Sequence, residues 1–177
     1  MPALPSEFRG ARAEVAPDTS TGDFSRYQGI QCSQINLHHC VAAVHSLNDW
    51  FDATVLNTPP APQGERGGSK VEKEFAKVAL IQEPYLLRNK VHGFNLKALN
   101  LFVGNGKGKI RSAIITSKSL EAWLLTQYSD EDQVAIGINC GGNVLVMAST
   151  YMPYDSADPP PSKMFKDLTD FCFQKNY

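Results

Sequence analysis

Two oxygen-bearing side chains stand where a sequence would put chemistry. Glu83 follows Val78-Ala79-Leu80-Ile81-Gln82 and precedes Pro84. Four apolar residues running into a carboxylate read as a buried strand that carries one acid to the edge of a sheet. The proline ends the strand and favours an extended Glu83. Asn36 lies at the end of an earlier strand-like run, 28–37. An amide oxygen and a carboxylate are hard ligands. With few protein ligands and open positions they suit Mg²⁺, or Mn²⁺ in its place, a cation that keeps several waters and binds substrate phosphate. Zinc would want His or Cys. The alternative for Asn36 is a cap on the helix that follows.

Other residues are weaker candidates. Tyr151 ends a strand, with Pro153 fixing the loop beyond it. A phenol there can donate to a phosphate oxygen, or it is a core tyrosine with a satisfied hydroxyl. Asp155 and Asp158 are turn residues before they are ligands. His38, His39, Cys40 and His45 resemble a metal cluster. Yet His38 and His39 are adjacent, so at a helix start they diverge by ~100°, and a surface or capping role is favoured. Gly104-Asn105-Gly106-Lys107-Gly108-Lys109 suggests a phosphate loop but lacks the four-residue gap and the Ser or Thr after Gly-Lys. It reads better as a basic hairpin tip.

Charge is more telling in its distribution than in its sum. The net charge of −1 gives no global attraction to nucleic acid. From Pro84 through Ser119, however, there is no Asp or Glu, while Arg88, Lys90, Lys97, Lys107, Lys109, Arg111 and Lys118 all fall there. Such a run is either a phosphate-facing surface or a solvated basic face. On the first reading Arg88, Lys107, Lys109 and Arg111 contact DNA.

The elements that position these groups follow from pattern. Residues 1–27 have no periodicity and read as a disordered leader, not a signal peptide. Strand 28–37 leads to a helix over 39–53, where Ala43, Leu47, Trp50 and Phe51 share a face. The Pro/Gly-rich 57–70 segment is an exposed loop. A helical turn at 71–77 precedes strand 78–82. Strand, helix, strand makes a βαβ unit with parallel strands, whose functional groups gather at the strands' C-terminal ends. Neighbouring strands are ~4.8 Å apart, so Asn36 and Glu83 can converge on one site. Beyond Pro84, residues 85–98 read as loop. Strands at 99–103 and 110–116 form a hairpin, as do 133–140 and 144–150. Residues 119–125 are a short helix or strand. Ser162 caps a last helix bearing Phe165, Leu168, Phe171 and Cys172 on one face.

A chain of 177 residues suffices for one domain with a real core. Its four cysteines form no CxxC pair, which suits reduced thiols in an intracellular protein. No apolar run approaches the ~18 residues of a membrane span.

Gln34-Ile35-Asn36-Leu37-His38-His39, Ala79-Leu80-Ile81-Gln82-Glu83-Pro84 and Ala148-Ser149-Thr150-Tyr151-Met152-Pro153-Tyr154-Asp155, with Pro159-Pro160-Pro161, occur in this order. Over roughly residues 29–177 the chain resembles the endonuclease domain of insect-type non-LTR retrotransposons, of the apurinic/apyrimidinic endonuclease kind within the endonuclease/exonuclease/phosphatase superfamily. The resemblance implies an α/β fold, a deoxyribonuclease-I-like four-layer sandwich of two sheets between helices. It implies that Asn36 and Glu83 are metal-site positions, that Tyr151 contacts the scissile phosphate, and that Tyr154 lies near DNA. It implies a Mg²⁺-dependent nick in chromosomal DNA whose 3′ hydroxyl primes reverse transcription, with a reverse transcriptase domain as partner in the full-length element, a nuclear setting and no membrane.

Two departures qualify the match. The Asn36–Glu83 interval is longer than the family's, with the excess in 57–70. The family's Asp-x-Asn element, later aspartate and final Asp/Ser-His pair have no counterpart in these residues. The expectation is therefore a partial sandwich with its C-terminal half missing, sheet faces and edges left uncovered, and a truncated, inactive copy of the enzyme. A non-catalytic nucleic-acid-binding remnant and a phosphoesterase of the same superfamily are the alternatives.

Overall fold

The computed structural model describes residues 27–53, 74–154 and 159–177. The leader to residue 26, the 57–70 loop and Asp155 to Asp158 lie outside these residues; Tyr27 already belongs to the first strand.

The order is β1 (Tyr27–Asn36), α1 (Val41–Asp52), β2 (Glu74–Gln82), β3 (Leu86–Leu87), β4 (Lys90–Val91), β5 (Leu99–Phe102), β6 (Ser112–Ser117), β7 (Ala122–Leu124), a 3-10 turn (Thr126–Tyr128), β8 (Gln133–Asn139), β9 (Val144–Thr150) and α2 (Lys163–Lys175). One sheet has the order β1-β2-β6-β5, a second the order β7-β8-β9, and β3 with β4 forms a small ribbon. β1 and β2 are parallel, and the other pairings are antiparallel.

The continuous apolar run of β2 has a simple cause: both faces of the strand are covered. Ala79 and Ile81 pack with Val44 and Leu47 of α1, together with Ala113 and Ile115 of β6. Ala76 and Val78 point the other way, with Ile114, and meet Val134, Ile136 and Ile138 of β8. The outer face of the second sheet, through Ala135, packs with Leu168 of α2. The layers run α1, sheet, sheet, α2. Complete burial of each such aliphatic side chain is worth about 1.5–3 kcal/mol. The expectation of uncovered sheet faces is thus corrected: within these residues each sheet has a helix on its outer face.

Three further expectations change. Residues 74–77 are strand, not a helical turn, because Tyr27 pairs with Glu74 and the parallel ladder starts there. Segment 85–98 contains the β3–β4 ribbon, whose tip residues Arg88 and Asn89 have φ of 52° and 59°. The Gly104–Gly108 segment lies against Asp130 and Glu131, and a Cβ at Gly104 or Gly106 would collide with them. Close packing, not phosphate binding, explains these glycines. Ser162 caps α2 as expected, its hydroxyl accepting from the Phe165 N–H at 3.2 Å. No helix among the described residues is long and apolar enough to cross a membrane. All four cysteines are free.

Candidate functional site

The β1–β2 register sets Asn36 opposite Gln82. The pairing continues beyond both strands: the Leu37 N–H donates to the Gln82 carbonyl and the His39 N–H to the Glu83 carbonyl, each at 2.9 Å. The two chain exits therefore stay together, which brings the Asn36 side chain beside the Glu83 carboxylate. Asn36 does not cap α1. That position belongs to Cys40, and the Asn36 side-chain oxygen instead accepts the His38 N–H at 2.9 Å.

Glu83 is not extended, as its place before Pro84 led us to expect. Its φ is 48°, with His38 at 46° and His39 at 56°. Three non-glycine residues in the left-handed region at one point are strained by about 1–3 kcal/mol each. Hydrogen bonds override the proline's preference. The Glu83 N–H donates to the Arg111 carbonyl at 2.8 Å while its own carbonyl holds His39.

The Glu83 carboxyl is held below the ordinary carboxylate range, first by the Asn36 amide. Burial opposes this, and the charges of His38 and His39 and the Tyr151 hydroxyl add to it. His38 Nδ1 stands 3.1 Å from the carboxylate. His39 Nδ1 meets the Pro84 carbonyl at 2.8 Å, and its Nε2 meets Lys109 Nζ at 2.9 Å. The two histidines, expected to be surface or capping residues, thus flank Glu83. The ~100° divergence invoked for them applies to a helix, whereas both precede α1 in a left-handed turn.

Tyr151 follows β9. Its N–H donates to the Asp132 carbonyl at 2.7 Å, and its phenol lies near enough to Glu83 to help lower the carboxyl. Arg111 lies over its ring, 5.4 Å from the centroid. The guanidinium is gripped by Asp132, Nε to one carboxylate oxygen and Nη2 to the other at 2.6 Å. Burial pushes the Asp132 carboxyl up, and Arg111 opposes the shift.

Beneath these groups the sheets are joined by buried hydroxyls. Ser149 Oγ donates to the Ile81 carbonyl at 2.9 Å and accepts from Gln82 Nε2 at 3.2 Å. Ser112 Oγ lies 2.8 Å from the Ser149 carbonyl. Sequence reasoning missed Ser112, Ser149 and Asp132. The only signal for the serines was a small polar residue inside each apolar strand. Asp132 had none.

The candidate DNA contacts separate. Tyr154 is fully exposed on the loop after β9. Arg88 is exposed at the ribbon tip, and Lys107 and Lys109 are exposed on the β5–β6 connection. Arg111 is half-buried in its pair with Asp132. A run without acids in sequence is not acid-free in space, because Asp130 to Asp132 fold back against it.

Asn36 and Glu83 fit a hard divalent cation: both offer oxygen, Asn36 is exposed, and Glu83 is kept ionised. Among the described residues no three His, Cys, Asp or Glu side chains gather as a ligand group, so the fitting ion is one that retains waters.

No family model matches the chain, and no curated protein sequence matches it. Among solved structures it is similar to the endonuclease domain of TRAS1, a telomere-specific non-LTR retrotransposon, with a TM-score of 0.50 and 18% identity over 82% of this chain and 53% of that one. The chain thus spans about half the length of that structure. The likeness is one of fold: this chain has the α/β fold of a non-LTR retrotransposon endonuclease domain.

Proposed function

We propose that these residues form the metal-holding and phosphate-positioning part of a DNA endonuclease that uses Mg²⁺, or Mn²⁺ in its place, to hydrolyse a phosphodiester. One observation carries this reading: Asn36, Glu83 and Tyr151 arrive from the ends of three strands in two sheets and converge beside the Glu83 carboxylate. A divalent cation bound there would supply Lewis acidity toward the scissile phosphate. Glu83 supplies the ionised ligand, and Asn36 orients it and adds an amide oxygen. The Tyr151 phenol donates toward a phosphate oxygen. Lys107 and Lys109 contribute positive potential beside the site, and Arg88 and Tyr154 extend the contact to flanking DNA. A cavity of about 200 Å³ opens beside Tyr151, between Asp130, Asp132, Thr150, Met152 and Met164.

His39 has both ring nitrogens engaged, with Pro84 and Lys109, and His38 is held to Glu83 through Nδ1, and we assign neither the role of base. Turnover by these residues alone is slow, by the factor of about 10²–10⁴ that a positioned base contributes. Plasmid nicking is the test. The expected result is slow, Mg²⁺-dependent nicking that disappears in Glu83→Ala. Nicking of equal rate in Glu83→Ala, or no Mg²⁺-dependent interaction with DNA at all, overturns the reading.

DNA binding without cleavage is the second reading, favoured by the exposure of Lys107 and Lys109 next to the site. It predicts affinity that falls steeply with salt and is indifferent to Glu83→Ala.

A further inference from the structure

Arg111 touches both halves of the site. Its carbonyl accepts the Glu83 N–H at 2.8 Å, which fixes the metal-site carboxylate in the first sheet. Its guanidinium lies over the ring of Tyr151 from the second sheet. Asp132 holds that guanidinium by two nitrogens, and the Asp132 carbonyl accepts the Tyr151 N–H at 2.7 Å. The Arg111 N–H donates to the Glu131 carbonyl at 2.8 Å, so its backbone is also pinned. Side-chain exposure is 34% for Arg111 and 27% for Asp132. That is too little for a rim cation, and Lys107 and Lys109 are exposed by contrast.

We propose that Arg111 is a positioning residue, clamped by Asp132 so that its guanidinium sets the Tyr151 ring beside the backbone-anchored Glu83. The proposal rests on the nuclease reading for its effect on rate, but not for its geometry. A guanidinium that contacts phosphate needs its donors and its charge free. Here the carboxylate takes two of the three nitrogens and neutralises the charge. The planar fork is essential to this arrangement: it engages both carboxylate oxygens while its face covers the ring, which a lysine ammonium cannot do.

Two measurements test the proposal on the 177-residue chain. The first compares single-turnover nicking and DNA affinity for Arg111→Lys, Arg111→Met, Asp132→Asn and the Arg111→Met/Asp132→Asn double variant, with Mg²⁺. Positioning predicts that every variant cleaves about 10–100-fold more slowly, as for a misplaced reacting group. DNA affinity stays within about twofold, and the double variant is no slower than the slower single one. The opposite pattern overturns the proposal: Arg111→Met weakens DNA binding and flattens its salt slope by about one, Arg111→Lys retains it, and Asp132→Asn tightens it.

The second measurement needs no cleavage. The aromatic proton signals of Tyr151 shift in both Arg111→Lys and Asp132→Asn, while the signals of core methyls such as Ile136 stay in place. Unmoved Tyr151 signals overturn the positioning role even if cleavage falls. A wild-type chain that nicks nothing but shows the Tyr151 shifts overturns the nuclease reading and leaves the positioning role standing.

Discussion

The Asn36 side chain sits beside the Glu83 carboxylate because Asn36 stands opposite Gln82, and Glu83 is the next residue along the chain. The contact holds the Glu83 carboxyl below its ordinary value. A carboxyl depressed on folding stabilises the fold above its unfolded value, about 4.3. That contribution is lost as pH falls through the lower, folded value. Asn36→Ala removes the largest cause of the shift. The titration of the Glu83 side-chain carbon, followed by NMR, moves upward in this variant. Its stability also falls less steeply on acidification below about 4.3. An unchanged Glu83 titration would count against the contact.

Ser149 is the hydroxyl that joins the two sheets under the site. Replacing it with alanine takes an acceptor from Gln82 and a donor from the Ile81 carbonyl, all in a buried setting. Urea unfolding of Ser149→Ala should show a loss of about 1–3 kcal/mol, the cost of unsatisfied buried polar groups. Ser149→Cys, similar in shape and weaker as a donor, should fall between the two.

Asp132→Ala leaves the Arg111 guanidinium half-buried without its carboxylate. Removing one partner of a fully buried pair costs about 3–5 kcal/mol. These side chains keep roughly a third of their exposure, and solvent screening lowers the expected loss to about 1–2 kcal/mol. Arg111→Met/Asp132→Ala, with neither charge present, should recover part of it.

Lys77 closes the C-terminus of α1. Its ammonium donates to the carbonyls of Trp50, Phe51 and Ala53 and lies 5.5 Å from the Trp50 ring centroid. A cation meets the negative end of the helix dipole there. Lys77→Met should destabilise the fold by about 1–3 kcal/mol, since hydrogen bonds to a charged donor are lost at a buried site. Hydrogen exchange at the amides of Trp50 to Ala53 should accelerate in step. Protected amides in the variant would show that α1 holds its end without the lysine.

The strand-helix-strand unit was legible in the sequence because β2 is apolar on both faces and α1 is amphipathic. Those patterns alone brought Asn36 and Glu83 to neighbouring strand ends. The start of β2 was not legible: Glu74-Phe75-Ala76-Lys77 carries no strand pattern, and pairing with β1 overrides its local preference. The β3–β4 ribbon has only two residues per strand, too short for any period to show. The left-handed turn of His38 and His39 comes from hydrogen bonds across the strand ends, which no local signal encodes. Arg111 looked like one more cation in a basic run because its acid lies 21 positions away, beyond a second strand.

Manganese titration of the wild-type chain and Glu83→Gln addresses the site most directly. Both proteins keep their shape at position 83, and only the charged ligand differs. If Asn36 and Glu83 hold the cation, calorimetry shows one binding event in the wild type that disappears in Glu83→Gln, and paramagnetic broadening centres on the amides of Asn36 to His38 and Gln82 to Glu83. Equal affinity in the two proteins, or broadening centred elsewhere, would contradict a metal site built on Glu83.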